Sequence, residues 1–159
     1  MVKKISRTAF TNARLWAIQA VYAHALTGRD YDTLMSLFLM GKTGTDLWED
    51  LPAGRERSVT LTPADEGLFT RLVKNVSEQE NELEQSIRSS LSEGIEYDRL
   101  DLTFQCILKT AMAEFFVNPD LDAPIIINEY VDITHSFYDK TEIKIANGLL
   151  DRFAKVMRG

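Results

Sequence analysis

One cysteine, Cys106, and two histidines, His24 and His135, are the whole thiol and imidazole complement of this 159-residue chain. A single cysteine excludes an intrachain disulfide framework and any zinc site built on several thiolates, and two imidazoles argue against a histidine-rich metal centre. Glycine (8) and proline (4) are too scarce for a collagen-like or linker-dominated chain. No run approaches the roughly 18 uninterrupted apolar residues of a membrane span, and the N-terminus has no short apolar core of a signal peptide. The expectation is therefore a soluble, cytoplasmic protein with no membrane role. With 45% hydrophobic and 26% charged residues, the composition suits one ordinary globular domain over residues 1–159.

The net charge of −6 is unevenly spread. Residues 1–29 hold Lys3, Lys4, Arg7, Arg14 and Arg29 and no acid, a local +5, while the remaining residues sum to −11. A basic arm on an acidic body predicts that a polyanion meets the arm and avoids the body.

Apolar spacing reads as helix nearly throughout. Leu15, Ile18, Val21, Tyr22, Ala25 and Leu26 recur at three- and four-residue steps, predicting a basic first helix over 8–27 that Thr27-Gly28 ends. A short helix follows over about 32–40. The stretch 41–61, with Gly41, Gly44, Pro52 and Gly54 and no sustained period, reads as a long mobile connection. Thr62-Pro63-Ala64-Asp65 reads as a helix start, with Thr62 capping and Pro63 in the first turn, for a helix reaching almost to Gly94. Asp98 is expected to open the next helix and Asn118-Pro119-Asp120 to close it. Helices from Pro124 to about Phe137 and from about Thr141 to Met157 complete an all-α fold of six or seven helices.

Fragments suggestive of catalysis fail on their chemistry. Gly41-Lys42-Thr43 ends like a phosphate-binding P-loop, but the glycine required five residues before Gly41 is Ser36. Cys106 reads as a small packed hydrophobe and His135 as a structural or solvated side chain. Glu78, Glu80, Glu82 and Glu84 are spaced by two, point in different directions on a helix and read as a solvated face. No catalytic or metal site is expected, and no cofactor: the pattern is that of a binding protein, not an enzyme.

Asn12-Ala13-Arg14-Leu15-Trp16-Ala17-Ile18-Gln19-Ala20-Val21-Tyr22 resembles the first helix of NusB-type transcription antitermination factors. Ile107-Leu108-Lys109-Thr110-Ala111 with Glu114 is similar to a second segment of that family, and Pro124-Ile125-Ile126-Ile127-Asn128-Glu129-Tyr130-Val131 to a third. Lys144-Ile145-Ala146-Asn147-Gly148-Leu149-Leu150-Asp151 resembles its closing signature. Residues 41–97 carry little of the match.

The resemblance implies two packed helical subdomains. It also implies binding of boxA-type single-stranded RNA in nascent ribosomal transcripts, together with the small-subunit ribosomal protein NusE, in the RNA polymerase antitermination complex. On this reading Lys3, Lys4, Arg7 and Arg14 meet phosphates. Tyr22 is divided between core and ligand contact. Lys144 matches the family's basic residue beside the RNA. Consecutive arginines typical of the family are missing at Phe10-Thr11-Asn12, which predicts modest RNA affinity without the partner. The same gap leaves open a helical protein–protein interaction module with weakened or lost RNA recognition. Leu102, flanked by Asp98 and Asp101, is the expected surface for a basic partner. Asn147-Gly148 reads as structural, the glycine admitting a neighbouring helix and the asparagine tying down buried backbone.

Overall fold

Thr8 begins the first described element by accepting the Thr11 amide on its side-chain oxygen at 3.1 Å. Its extended backbone makes it the N-cap of α1 (Ala9–Thr27), an alanine-rich sequence of high helix propensity. The computed structural model describes residues 8–41 and 64–159, which fall into two units meeting between Val73 and Lys74. The 41–61 connection therefore lies, apart from Gly41, outside the described residues, as do Lys3, Lys4 and Arg7.

The first unit holds α1, α2 (Tyr31–Leu39) and the opening of α3 (Glu66–Ser90). Gly28 ends α1 in the left-handed region at φ 76°, where a side chain would be strained, and returns its amide to the His24 carbonyl. Two residues later Asp30 caps α2 by accepting the Thr33 amide at 3.2 Å. The His24 ring stacks on Tyr31 with centroids 3.8 Å apart, which pins this short turn. Trp16, Phe38 and Phe69 meet pairwise at 5.6–6.1 Å over the unit's core of Ala17, Val21, Leu34 and Leu72.

The start of α3 departs from expectation. Thr62 and Pro63 lie outside the described residues, but Ala64 and Asp65 are not helical, and Asp65 accepts the Leu68 amide at 2.8 Å ahead of the first helical residue, Glu66. The Asp65 amide bonds the Ala9 carbonyl at 2.9 Å, so tertiary pairing with α1 fixes where the helix begins. The helix also stops at Ser90, short of Gly94, and bends at Gln79 (φ −121°, ψ 18°), where its apolar stripe skips from Val76 to Leu83.

The second unit continues α3 from Lys74 and adds a 3₁₀ turn (Tyr97–Arg99), α4 (Leu102–Val117), α5 (Ala123–Phe137) and α6 (Lys140–Arg158). Asp98 thus lies in the 3₁₀ turn and does not open α4, because extended Leu100 and Asp101 break the chain first. Every residue from Cys106 to Phe115 is buried, so α4 is the central helix, packed by α5 and α6. Its three buried polar side chains each find a partner. Lys109 meets Glu80 at 2.8 Å, Thr110 donates to the Cys106 carbonyl at 2.8 Å, and Glu114 accepts from Tyr130 at 2.7 Å and from Asn118 at 2.9 Å. Pro124 sits in the first turn of α5, where its missing amide costs nothing, and the Ile125-Ile126-Ile127 run is helical as expected.

At the far end Arg158 donates to the Phe115 and Asn118 carbonyls at 3.2 and 2.8 Å and to that of Leu121. These bonds satisfy open carbonyls at the end of α4 and in the turn that follows it, while the guanidinium covers the Phe115 ring. Six α-helices and no strand are present among the described residues. No helix of the described residues is long and apolar enough to cross a membrane.

Candidate nucleic-acid interface

The first unit presents less positive charge than its sequence promises. Arg14 shares a helical face with Ala13, Ala17 and Ile18, and α1 turns it inward to 5% exposure, engaged within the fold. The sequence reading of Arg14 as a phosphate contact is corrected accordingly: a cation four residues before a core isoleucine follows the apolar face into the interior. Tyr22 is half-buried between buried Val21 and Ala23, with its side chain divided between packing and solvent.

In the second unit the corner between α5 and α6 is rigidly built. Tyr138, the residue that ends α5, packs on Phe104 with centroids 5.5 Å apart and donates its hydroxyl to Asp101. Burial, with that hydrogen bond behind it, holds the Tyr138 phenol protonated well above the usual range. On the outer side of the clamp Phe137 leaves 39% of its surface exposed, directly before the exposed Lys140 and Lys144 of α6. An exposed ring at the end of one helix, followed by exposed cations at the start of the next, offers what an unpaired nucleotide needs: a face to stack on and charge for its phosphates. The sequence reading named Lys144 as a candidate and did not name Phe137. Three and four residues after buried Thr134 and Ile133, Phe137 continues the apolar stripe and reads as core. Only its place in the last turn carries it past the packed surface.

The expected partner surface is altered. Arg88 holds Asp98 at 2.8 Å and Glu84 at 2.9 Å, and its guanidinium lies 4.7 Å from the Tyr97 ring centre. The hydrogen bond from Arg88 keeps the Asp98 carboxyl below its ordinary range. Asp101 accepts from Tyr138, and Leu102 is half-buried. Asp98 and Asp101 thus each have a partner within the unit, and the Asp98 side chain stays three-quarters exposed beside it.

The glutamate run is also corrected. Glu78 and Glu82 are exposed, but Glu80 and Glu84, four apart and on one face, converge on buried Lys109 at 2.8 and 4.0 Å. No group of three or more histidine, cysteine, aspartate or glutamate side chains could hold a metal among the described residues. Cys106 is buried, and desolvation pushes its thiol up to about 12, so the reactive thiolate is absent near neutrality. A maleimide or disulfide reagent at neutral pH is expected to leave the native thiol unmodified over hours and to label it at once in denaturant. Fast native labelling, followed by mass spectrometry, would contradict this packing.

Asn147 is exposed, so it does not tie down buried backbone, and the group nearest a side chain at Gly148 is the Arg152 guanidinium of the same helix, 3.3 Å away, not a neighbouring helix.

The fold defined by these two units is that of known all-helical antitermination proteins. A crystal form of NusB from T. maritima superposes with a TM-score of 0.67 at 20% identity, covering 95% of this chain and 93% of that one. A crystal structure of the antitermination factors NusB and NusE in complex with double-stranded RNA gives 0.66 at 19% identity, covering 92% and 96%. The NusB family model matches residues 11–155. The transcription antitermination protein NusB of Hyphomonas neptunium is 30% identical over 97% of this chain and 94% of its own length. That of Novosphingobium aromaticivorans is 32% identical over 98% and 99%. The chain belongs to the NusB family of transcription antitermination proteins.

Proposed function

We propose that this protein binds boxA-type single-stranded RNA in nascent ribosomal transcripts jointly with the small-subunit ribosomal protein NusE, as a non-catalytic part of the RNA polymerase antitermination complex. The observation that carries the reading is the family match over residues 11–155, and a structural neighbour that holds NusE and RNA supports it. Lys3, Lys4, Arg7, Lys144 and the ring of Phe137 are the proposed RNA contacts, with Tyr22 contributing its exposed edge. Leu102, beside Asp98 and Asp101, is the proposed partner contact through its apolar surface.

With Arg14 turned inward and the arginines at positions 10–12 absent, few phosphate contacts are left to this chain. Each one missing flattens the salt dependence by about 0.7 in log–log slope for a single strand. Partner-free binding is therefore expected to be weak, and strong binding to need both proteins. Fluorescence anisotropy tests this with a boxA-like strand, a scrambled strand and a duplex, with and without the NusE-type protein, across several salt concentrations. Capture of neither RNA nor ribosomal protein overturns the reading. Capture of the protein alone favours the interaction-module alternative. Tight partner-free binding with a steep salt slope contradicts the expected division of labour.

A further inference from the structure

The face of α6 that rises at four-residue steps carries Lys140, Lys144, Gly148 and Arg152, three cations and a glycine with no acid among them. None of the three cations has a carboxylate within ion-pair distance among the described residues, whereas Arg88, Lys109 and Lys155 are all paired. On the adjoining row Asp151 is held by Lys155 at 3.4 Å, and Glu142 stands beside the first turn. Arg152 differs from an ordinary surface arginine. Its Nε donates to the Ser90 carbonyl at 2.8 Å, which anchors the side chain to the end of α3. Its guanidinium lies back over Gly148, where an added Cβ would come within 3.3 Å of Nη1. One edge of the guanidinium is thus fixed by the protein, and its remaining N–H groups have no protein acceptor among the described residues. A planar fork already held in place loses little side-chain freedom when it takes a phosphate.

We propose that this ridge is a phosphate track that continues the RNA path beyond the α5–α6 corner, with Arg152 as its distal anchor, its guanidinium laid over Gly148 and presented to the strand's backbone. The inference rests on the RNA-binding reading and adds a second, sequence-independent segment to it. From Lys140 to Arg152 the helix rises about 18 Å, enough for a few nucleotides of extended strand. Charge complementarity selects the occupant: a row of cations free of acids, on a chain of net charge −6, fits a polyanion and not the basic ribosomal partner.

The test compares, in the presence of the NusE-type protein, a core boxA-like RNA with the same RNA extended by about four nucleotides at either end. Extension at one end is expected to tighten binding about fivefold by the native protein, with no preference for the added sequence. Arg152→Gln should abolish that gain, lower the salt slope by about 0.7 and leave core affinity within about twofold. Gly148→Asp, which sets a carboxylate against the guanidinium without cutting its bond to Ser90, should do the same, and covers the case in which loss of that bond weakens folding. An extension that gains nothing, a gain that survives both variants, or loss of NusE capture in the absence of RNA overturns the track. Failure of the native protein to bind even the core RNA instead refutes the reading on which it rests.

Discussion

Replacing Glu114 by alanine is expected to lower the thermal unfolding midpoint by about 10 °C, corresponding to about 3 kcal/mol. Its carboxylate is fully buried on the central helix and accepts from the Tyr130 hydroxyl on one oxygen and from the Asn118 amide on the other. Removing it takes an acceptor from the buried Tyr130 hydroxyl and from the half-buried Asn118 amide, and a buried donor that loses its acceptor costs about 1–3 kcal/mol. Glu114→Gln retains one acceptor oxygen but turns its amide group toward one of the two donors, so an intermediate loss is expected. Circular dichroism melts of the three proteins make the comparison. A midpoint within about 2 °C of the native protein for the alanine variant would show that this carboxylate does not join α4 to α5. Glu114 belongs to one of the family-like segments of the sequence, and its geometry assigns that identity to holding the fold, not to touching RNA.

Phe137→Ala combined with Lys144→Gln is expected to weaken RNA binding in the presence of the partner by about thirtyfold. Stacking of one base on an aromatic ring is worth about 1–3 kcal/mol, and a lost phosphate contact adds a salt-dependent increment. The two single variants should separate by salt: the lysine change reduces the slope, whereas the phenylalanine change lowers affinity equally at all concentrations. Both side chains are exposed, and the corner that presents them is held by Tyr138 on Phe104 and Asp101, so melts should stay near native. Unchanged affinity in the double variant would remove the α5–α6 corner from the RNA path.

Helices with local causes were legible in the chain. Gly28 after a regular stripe and Pro124 ahead of three isoleucines each act within one turn, and the structure ends or starts helices there. The misplaced boundaries have causes from outside the element. α3 opens only at Glu66, after Asp65 has given its amide to Ala9, and α4 opens after Asp98 because that residue lies in a 3₁₀ turn against Arg88.

The candidate site divided in the same way. Periodicity shows which residues share a face of a helix, since 3.6 residues per turn is a property of the chain itself. It does not show what stands opposite that face. Membership of the NusB family, the all-helical class and the exposed Lys144 were therefore determined by the amino-acid sequence alone. Tertiary structure decided that Arg14 turns inward, that Glu80 and Glu84 converge on Lys109, that Asp98 pairs with Arg88 and that Phe137 stays part-exposed at the edge of its core. The reason is physical: whether a charge or a ring meets water depends on packing by residues distant in the chain, and no local pattern encodes those neighbours.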